Sequence, residues 1–275
     1  MRRTDFVRFT YIDLFAFSRC PDFVQAVTAA GAAAVVVDWE RRRKERRQAG
    51  ADTEINGDTP DDLAAVRAVT AGRVVCRVNG WDRWTAGEID LAVALGADEV
   101  LLPMVRRPGE VDAALERAAG RCDLGILVET TDAVRHVREL VRRPLSRVYV
   151  GLNDLMIDRG GTSLFGPLVD GTVEHVRQVV GSAGIPFGVA GLTVPEGGRP
   201  VPCRLLIGEL ARIGADFTFL RRSFHADTVG RDLSVEVPRI LEAVDAARLR
   251  TATQLDDDRD ELVTTVGLLD AEEAV

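Results

Sequence analysis

The chain has 275 residues, a formal net charge of -8, and 46% hydrophobic but only 5% aromatic residues. This length suits one large domain, and the composition predicts an aliphatic core. A protein that grips nucleic acid normally carries a basic excess, so the acidic balance argues against a nucleic-acid partner. No apolar run approaches the roughly 20 residues of a membrane helix, which argues against a membrane protein.

Eight short apolar runs recur along the chain, and the middle ones are nearly uninterrupted, as in AVVVDW and GILVE. Strands that are buried on both faces of a parallel sheet have this character. The predicted strands are Val7–Tyr11, Ala33–Trp39, Val74–Asn79, Glu99–Val105, Leu124–Glu129, Arg147–Asn153, Phe187–Leu192 and Asp216–Leu220.

Helical patterns separate these runs. One helix has Thr59 as its predicted N-cap and Pro60 at its start, and it ends at Gly72. The alternation of strands and helices predicts an α/β fold, and eight units favour a closed (β/α)8 TIM barrel. The competing Rossmann fold requires a glycine fingerprint after the first strand, whereas IDLFAFSRCPD after Tyr11 contains no glycine.

The domain organisation that we predict is a catalytic barrel over residues 1–250 followed by an acidic, flexible tail over 251–275. Residues 256–275 contain eight acidic residues and one arginine, a composition that disfavours a packed core. The alternative is that the segment LVTTVGLL within it docks on the barrel. Two polar segments, 40–58 and 195–202, follow predicted strands, so we expect both at the mouth of the barrel where the carboxyl ends of the strands meet.

The four cysteines show no CxxC spacing, so a zinc or thioredoxin-like site lacks support. Cys76 and Cys122 lie in apolar runs and are expected to be reduced core residues. Reduced thiols fit a cytoplasmic location.

Two carboxylates stand at the ends of neighbouring predicted strands, Glu129 after strand 5 and Asp154 after strand 6. Each alone could be an ordinary strand-end or turn residue. Because adjacent barrel strands lie roughly 5 Å apart, both carboxylates could reach one cation. Ligation by oxygen alone favours Mg²⁺ or Mn²⁺ over zinc.

Arg77 lies inside the apolar run VVCRVNG, where a guanidinium needs an anion. That anion is either a substrate or a side chain of the neighbouring strand, Asp38 or Glu40, and the two interpretations are compatible. Asn79 is a further polar residue at the end of the same strand.

The remaining polar features have an ordinary and a functional interpretation each. His136 and His175 fall within helices and are expected at the surface, whereas His225 follows strand 8 and could act as an acid or base at the mouth. The basic run Arg41–Arg47 is either a solvated segment or a site for an anionic part of the substrate or for another subunit.

Five motifs together resemble the HpcH/HpaI aldolase and citrate lyase β-subunit family of the pyruvate/phosphoenolpyruvate barrel group. They occur in the family's order over roughly residues 30–160: VVVDWE (35–40), CRVN (76–79), GADEVLLPMV (96–105), LVET (127–130) and GLNDL (151–155).

The resemblance implies roles for individual residues. Glu129 and Asp154 match the family's two ligands for Mg²⁺ or Mn²⁺, and Arg77 matches the arginine that touches the 2-oxo oxygen of the substrate. Asp38 and Glu40 match the acidic pair after strand 2 and are assigned with Arg77 to catalysis. The segment from Gly96 to Pro103 resembles the one that leads to the strand 4 loop, where backbone groups meet the substrate carboxylate. Pro103, Met104 and Asn79 are assigned with Arg77 to substrate binding.

One departure concerns the residue after Glu40. The aldolase branch has a histidine there as its base, and the citrate lyase branch reads DLED, whereas this chain has Arg41. The candidates for the base are therefore Glu40, His225 and water on the metal.

Three functions follow from the resemblance. The first is a metal-dependent carbon–carbon lyase of the aldolase type that acts on a small 2-oxo or hydroxy acid through a pyruvate-like enolate. The second is a lyase or thioesterase acting on an acyl-CoA ester, for which residues 41–47 are the one obvious basic segment. The third is a pathway protein without lyase activity. The family also implies a homo-oligomer, a trimer or hexamer.

Overall fold

The computed structural model describes residues 12–42 and 57–273. Eight parallel strands pair in chain order and close into a barrel, because β8 pairs with β1. The predicted (β/α)8 TIM barrel is therefore confirmed. The strands are β1 Asp13–Phe17, β2 Ala34–Asp38, β3 Arg73–Arg77, β4 Glu99–Leu102, β5 Asp123–Val128, β6 Arg147–Val150, β7 Phe187–Leu192 and β8 Phe217–Leu220.

Helices follow the strands and cover the outside of the barrel. None of the described helices combines the length and apolar character needed to cross a membrane. In chain order they are α1 Pro21–Ala29, α2 Pro60–Val69, α3 Thr85–Ala94, α4 Pro108–Ala118, α5 Thr131–Leu140, α6 Leu152–Asp158, α7 Gly166–Val169, α8 Thr172–Ser182, α9 Cys203–Ile213, α10 Ser223–Asp227, α11 Leu233–Arg248 and α12 Ala252–Glu273.

The first strand differs from the prediction. Val7–Tyr11 lies outside the described residues, and the strand that pairs with both β2 and β8 is Asp13–Phe17. Both segments are apolar enough to form a strand, and only the pairing with neighbouring strands selects the second.

The lumen of the barrel is filled by side chains that point inward from alternate positions. Phe15, Tyr149, Phe217 and Phe219 form its aromatic part, with ring centroids 4.2 to 6.3 Å apart. Aliphatic residues complete this cluster, and a second and larger core lies between strands and helices. Because side chains fill the lumen, a substrate would bind at the mouth, among the loops that follow the strands.

A charged network closes the amino-terminal end of the lumen. The fully buried Glu99 accepts hydrogen bonds from Arg147 Nε at 2.7 Å, Arg73 Nη1 at 2.9 Å and Ser146 Oγ at 2.6 Å. The Arg147 guanidinium also stacks on Phe15, 4.5 Å from its ring centroid. Charged groups at this end of a barrel serve stability rather than chemistry.

The segment predicted as a flexible tail forms the 22-residue helix α12. Its Leu262 and Val266 are buried in the core between strands and helices. Arg259 pairs with the buried Glu209 of α9 at 2.9 Å and with Glu174 of α8 at 3.0 Å. The acidic composition is therefore compatible with docking, since Leu262 and Val266 lie one turn apart on the buried side and Arg259 finds acidic partners on the barrel.

Candidate active site

Arg77 and Asp38 form a two-pronged ion pair at the carboxyl ends of β3 and β2. Arg77 Nε lies 2.8 Å from Asp38 Oδ1, and Nη2 lies 2.6 Å from Oδ2. The two residues are directly opposite in the strand register, and Asp38 is fully buried. Burial lowers the pKa of Arg77, but Asp38 and Glu40 outweigh it, so the pKa lies above its ordinary value and the guanidinium is always charged.

The acidic pair at the end of β2, Asp38 and Glu40, is held by a third carboxylate that is remote in sequence. Asp58 Oδ2 accepts the backbone N–H of Asp38 at 2.8 Å, and Trp39 Nε1 donates to the carbonyl of Thr59 at 3.1 Å. Glu40 lies in this fixed segment, almost fully buried, with its Oε2 3.6 Å from Arg77 Nη1. Residues 58–59, which end the segment after β2, thus fix the acidic pair at the start of that segment.

Glu129 follows β5 directly and is 98% shielded from solvent. Its Oε1 accepts the backbone N–H of Met104 at 2.8 Å, a donor that Met104 presents with a left-handed backbone (φ 55°). On the opposite side the carboxylate packs on Gly151, where a β-carbon would overlap Glu129 Oε2. A glycine at position 151 is therefore required to seat this side chain.

Asp154 lies in the first turn of α6, directly beyond β6, and is largely buried. The pKa of Glu129 is raised well above its usual range, first by burial and then by the negative charges of Asp154 and Glu40. Arg77 and the Met104 N–H oppose this shift. The negative charge of Asp154 therefore disfavours the ionised form of Glu129.

A divalent cation fits this environment. It would offset the cost of ionising the buried Glu129 beside Asp154, and carboxylate oxygens are the donors that Mg²⁺ and Mn²⁺ prefer. Over residues 12–42 and 57–273, no group of three His, Cys, Asp or Glu side chains is arranged to hold a metal. A cation here would take two protein ligands and would leave the rest of its shell to water and substrate.

The side chain of Asn79, which we predicted to bind substrate, is engaged within the protein. Its Oδ1 accepts the backbone N–H groups of Arg41 and Arg42 at 2.9 and 2.7 Å, and its Nδ2 donates to the Trp39 carbonyl and to Glu88, both at 2.9 Å. All of its hydrogen-bonding capacity is used by the protein. Asn79 therefore anchors the turn that carries Glu40. Of the other two predicted substrate residues, Pro103 has no backbone N–H, and the Met104 N–H donates to Glu129. Their contact with substrate stays a prediction.

Arg42, the second residue of the basic run, is partly buried and paired with acidic side chains. Arg42 pairs with Glu88 at 2.6 Å and with Asp82 at 3.2 Å, which attaches the segment after β2 to α3. Residues 43–47 lie outside the described residues, and the alternatives for them stay open.

The three histidines occupy the predicted places. His136 lies within α5 and His175 within α8. His225 lies in α10 at the mouth, where its exposed ring stacks on Phe23 and its Nε2 lies 3.0 Å from the Phe17 carbonyl.

Three residues at the site were not predicted, namely Asp58, Gly151 and Tyr149, nor was the hydrogen bond from the Met104 N–H to Glu129. Tyr149 lies in the lumen below Arg77 and Glu129, and its hydroxyl donates to the carbonyl of Ala190. Burial raises its pKa above the ordinary value, Arg77 lowers it and Glu129 raises it, so the side chain stays neutral. Tyr149 lies two residues after Arg147 on β6, so the period of two along a strand could have predicted that both side chains face the lumen.

The fold and this site define a (β/α)8 barrel of the enzyme type, with charged groups gathered at the carboxyl ends of β2, β3, β5 and β6. The chain belongs to the HpcH/HpaI aldolase/citrate lyase family, whose model matches residues 12–192. The resemblance stated from the motifs is thereby confirmed, and membership implies lyase activity. The search of curated proteins found no match to this sequence.

Solved structures with the same fold share little sequence with the chain. An HpcH/HpaI aldolase from Desulfitobacterium hafniense DCB-2 superposes with a TM-score of 0.60 at 14% identity, covering 88% of this chain and 95% of that one. RipC from Yersinia pestis gives 0.56 at 14% identity, covering 89% and 98%. The citrate synthase SbnG gives 0.58 at 17% identity, covering 80% and 90%. At these identities the likeness shows the fold alone.

Proposed function

We propose that this protein is a divalent-metal-dependent carbon–carbon lyase of the aldolase type, acting on a small 2-oxo or hydroxy acid through a pyruvate-like enolate. The observation that carries the proposal is the buried pair of Glu129 and Asp154 near an arginine whose charge is permanent. A buried carboxylate whose ionised form is disfavoured by burial and by a neighbouring carboxylate is poorly explained as a structural residue, because a hydrophobic pair would pack at lower cost.

Glu129 and Asp154 would hold Mg²⁺ or Mn²⁺. When bound, the cation would act as a Lewis acid that stabilises an enolate oxygen. Gly151 and the Met104 N–H fix the Glu129 carboxylate from two sides, so its orientation does not depend on the cation.

Arg77 supplies a second positive group for the developing oxyanion. Asp38 occupies its Nε and Nη2, which sets the plane of the guanidinium. Arg77 Nη1 lies 3.6 Å from Glu40 Oε2, which is beyond hydrogen-bond length. This nitrogen would contact the 2-oxo oxygen of the substrate.

Glu40 is the base candidate that the geometry favours over His225. It lies against Arg77 on a turn fixed by Asn79 and Asp58, whereas His225 is exposed and its Nε2 faces a backbone carbonyl. A carboxylate next to the substrate's arginine is placed to hold the proton of an aldol hydroxyl.

The metal assignment is tested by calorimetric titration of Mg²⁺ and Mn²⁺ into Glu129→Gln and Asp154→Asn. Loss of an outer partner of a metal ligand already costs about 10- to 100-fold in affinity, so loss of a ligand should cost at least as much. Asp112→Asn is the control, because Asp112 is an exposed carboxylate paired with Arg143 on the outer helices. Unchanged affinity in both site variants would exclude the assignment.

The enolate chemistry is tested separately with oxaloacetate, whose decarboxylation passes through the enolate of pyruvate. We expect wild-type protein to accelerate it with Mg²⁺ and to lose this activity with a chelator. No acceleration, together with no binding of pyruvate, would overturn the proposed reaction class.

A further inference from the structure

Two hydrogen bonds join the segment after β4 to the segment after β5, beside Glu129. The Met104 N–H donates to the Glu129 carboxylate at 2.8 Å. The carbonyl of the next residue, Val105, accepts a hydrogen bond from Thr130 Oγ1 at 2.6 Å. Glu129 and Thr130 are both buried. The two segments therefore form one unit around the Glu129 carboxylate.

Asp158, the last residue of α6, ties this unit to that helix. Its Oδ1 accepts a hydrogen bond from Arg106 Nη2 at 2.8 Å, and its Oδ2 accepts the backbone N–H of Thr131 at 2.7 Å. Arg106 lies two residues after Met104, and Thr131 lies two residues after Glu129. One carboxylate thus contacts both segments at once.

The same helix carries Asp154. Because Asp154 and Asp158 are four residues apart, they lie one turn apart on the same side of α6. Asp154 is largely buried, and its negative charge raises the pKa of Glu129. A shift of α6 relative to the segments after β4 and β5 would therefore change the separation of these two carboxylates.

The contact between Arg106 and Asp158 is a charge-assisted hydrogen bond. Burial raises the pKa of Asp158, but the Thr131 N–H and the Arg106 guanidinium outweigh burial and hold that pKa below its ordinary value. The side chain of Asp158 is 16% exposed and that of Arg106 is 40% exposed. Partly exposed ion pairs add little to the free energy of unfolding, so loss of this pair should leave the barrel folded.

We propose that the Arg106–Asp158 ion pair is a positioning device that sets the separation of the two carboxylates assigned to the metal. It acts through α6 and through the segment after β4, and neither residue of the pair is a metal ligand. The inference rests on the proposed function, which assigns those carboxylates to Mg²⁺ or Mn²⁺. Groups behind metal ligands orient them, and loss of such a group costs about 10- to 100-fold in affinity.

The decisive variant is Arg106→Gln, titrated with Mg²⁺ and with Mn²⁺ in a calorimeter. Removal of a positive charge near a cation site would by itself tighten cation binding. Loss of a positioning contact should instead weaken binding, by about 10- to 100-fold. The sign of the change therefore separates positioning from a general effect of charge, and a role in stability alone would leave the affinity unchanged.

Asp158→Asn breaks the same pair from the other side, and its amide oxygen can still accept the Thr131 N–H. This variant should also weaken cation binding. The double variant should bind no more weakly than the weaker of the two single variants, because both changes remove one contact. Fully additive losses would mean that the two residues act independently, and they would overturn the inference.

Arg159→Gln is the matched control. Arg159 pairs with Asp170 at 2.8 Å, which ties the end of α6 to the segment before α8 rather than to the segments beside Glu129. This control should keep the wild-type affinity. An equal loss in folded Arg159→Gln, or unchanged or tighter binding in folded Arg106→Gln, would overturn this inference alone. Failure of wild-type protein to bind either cation would overturn the proposed function together with it.

Discussion

At the scale of single residues, the environment of Glu129 determines what the site can do. The side chain is buried, accepts the Met104 N–H, packs on Gly151 and faces the negative charge of Asp154. Its ionised form therefore costs free energy in the metal-free protein, and a cation would remove that cost.

This cost predicts a specific pH dependence. Because the folded-state pKa of Glu129 is raised, the folded protein binds more protons than the unfolded chain above the ordinary carboxyl range. The free energy of unfolding of the metal-free protein should therefore fall as pH rises through that range. Glu129→Gln should remove this component, since the amide does not titrate.

The measurement is the melting temperature against pH for wild-type protein and Glu129→Gln, both with chelator. The difference between the two curves isolates Glu129 from Asp13 and Asp58, whose pKa values burial also raises. Parallel curves would contradict the assignment of a raised pKa.

Gly151 gives a second prediction at this scale. Alanine at 151 would push its β-carbon against Glu129 Oε2 and turn the carboxylate away from Asp154. We expect Mg²⁺ affinity to fall by about 10- to 100-fold, as for other changes behind a ligand.

The control for this variant is Gly109→Ala in α4, where a β-carbon has open space. Both proteins should remain folded by circular dichroism, and only Gly151→Ala should lose affinity in calorimetry. Equal affinities would mean that the carboxylate is not fixed from this side.

The sequence identified those site residues whose signal is local. Arg77 and Glu129 interrupt or end apolar strands, and Asp38 was named as a possible partner of Arg77 from the strand order alone. Asp58 was missed because it meets Asp38 only after the intervening segment returns, which no local pattern encodes. Asn79 was predicted to bind substrate because the sequence does not show that four groups of the protein already hydrogen-bond to its side chain. Those hydrogen bonds depend on side-chain geometry.

At the scale of elements, α12 shows where composition misleads. The tail has a high charge density, but its few apolar residues are spaced to meet α9, and Arg259 reaches buried acidic and carbonyl groups. The spacing of apolar residues in LVTTVGLL was visible in the sequence. The sequence did not show that Arg259 pairs with acidic residues of α8 and α9.

The docking of α12 predicts an asymmetry between two leucines of one helix. Leu262→Ala should lower the free energy of unfolding by about 2–5 kcal/mol, because it empties a fully buried position. Leu268→Ala is the matched control, since Leu268 is 63% exposed, and its effect should stay within about 0.5 kcal/mol. Chemical denaturation measures both, and equal small effects would mean that α12 is not docked in solution.

At the scale of the whole molecule, the barrel was predictable because its signal is repeated eight times. An error in one unit, such as the placement of the first strand at Val7–Tyr11, leaves the alternation intact. The shared wall of strands then brings groups on β2, β3, β5, β6 and β8 to one mouth. A trimeric or hexameric assembly and a cytoplasmic location stay predictions.

The exchange of pyruvate methyl protons with deuterated water, followed by nuclear magnetic resonance, tests the central claim most directly. Exchange reports enolate formation without requiring the second substrate. We expect wild-type protein to catalyse exchange with Mg²⁺, and Glu129→Gln or Arg77→Gln to slow it by about 100-fold or more, as for loss of an oxyanion-stabilising group. Exchange that persists at the wild-type rate in Glu129→Gln, or that is unaffected by a chelator, would contradict the account.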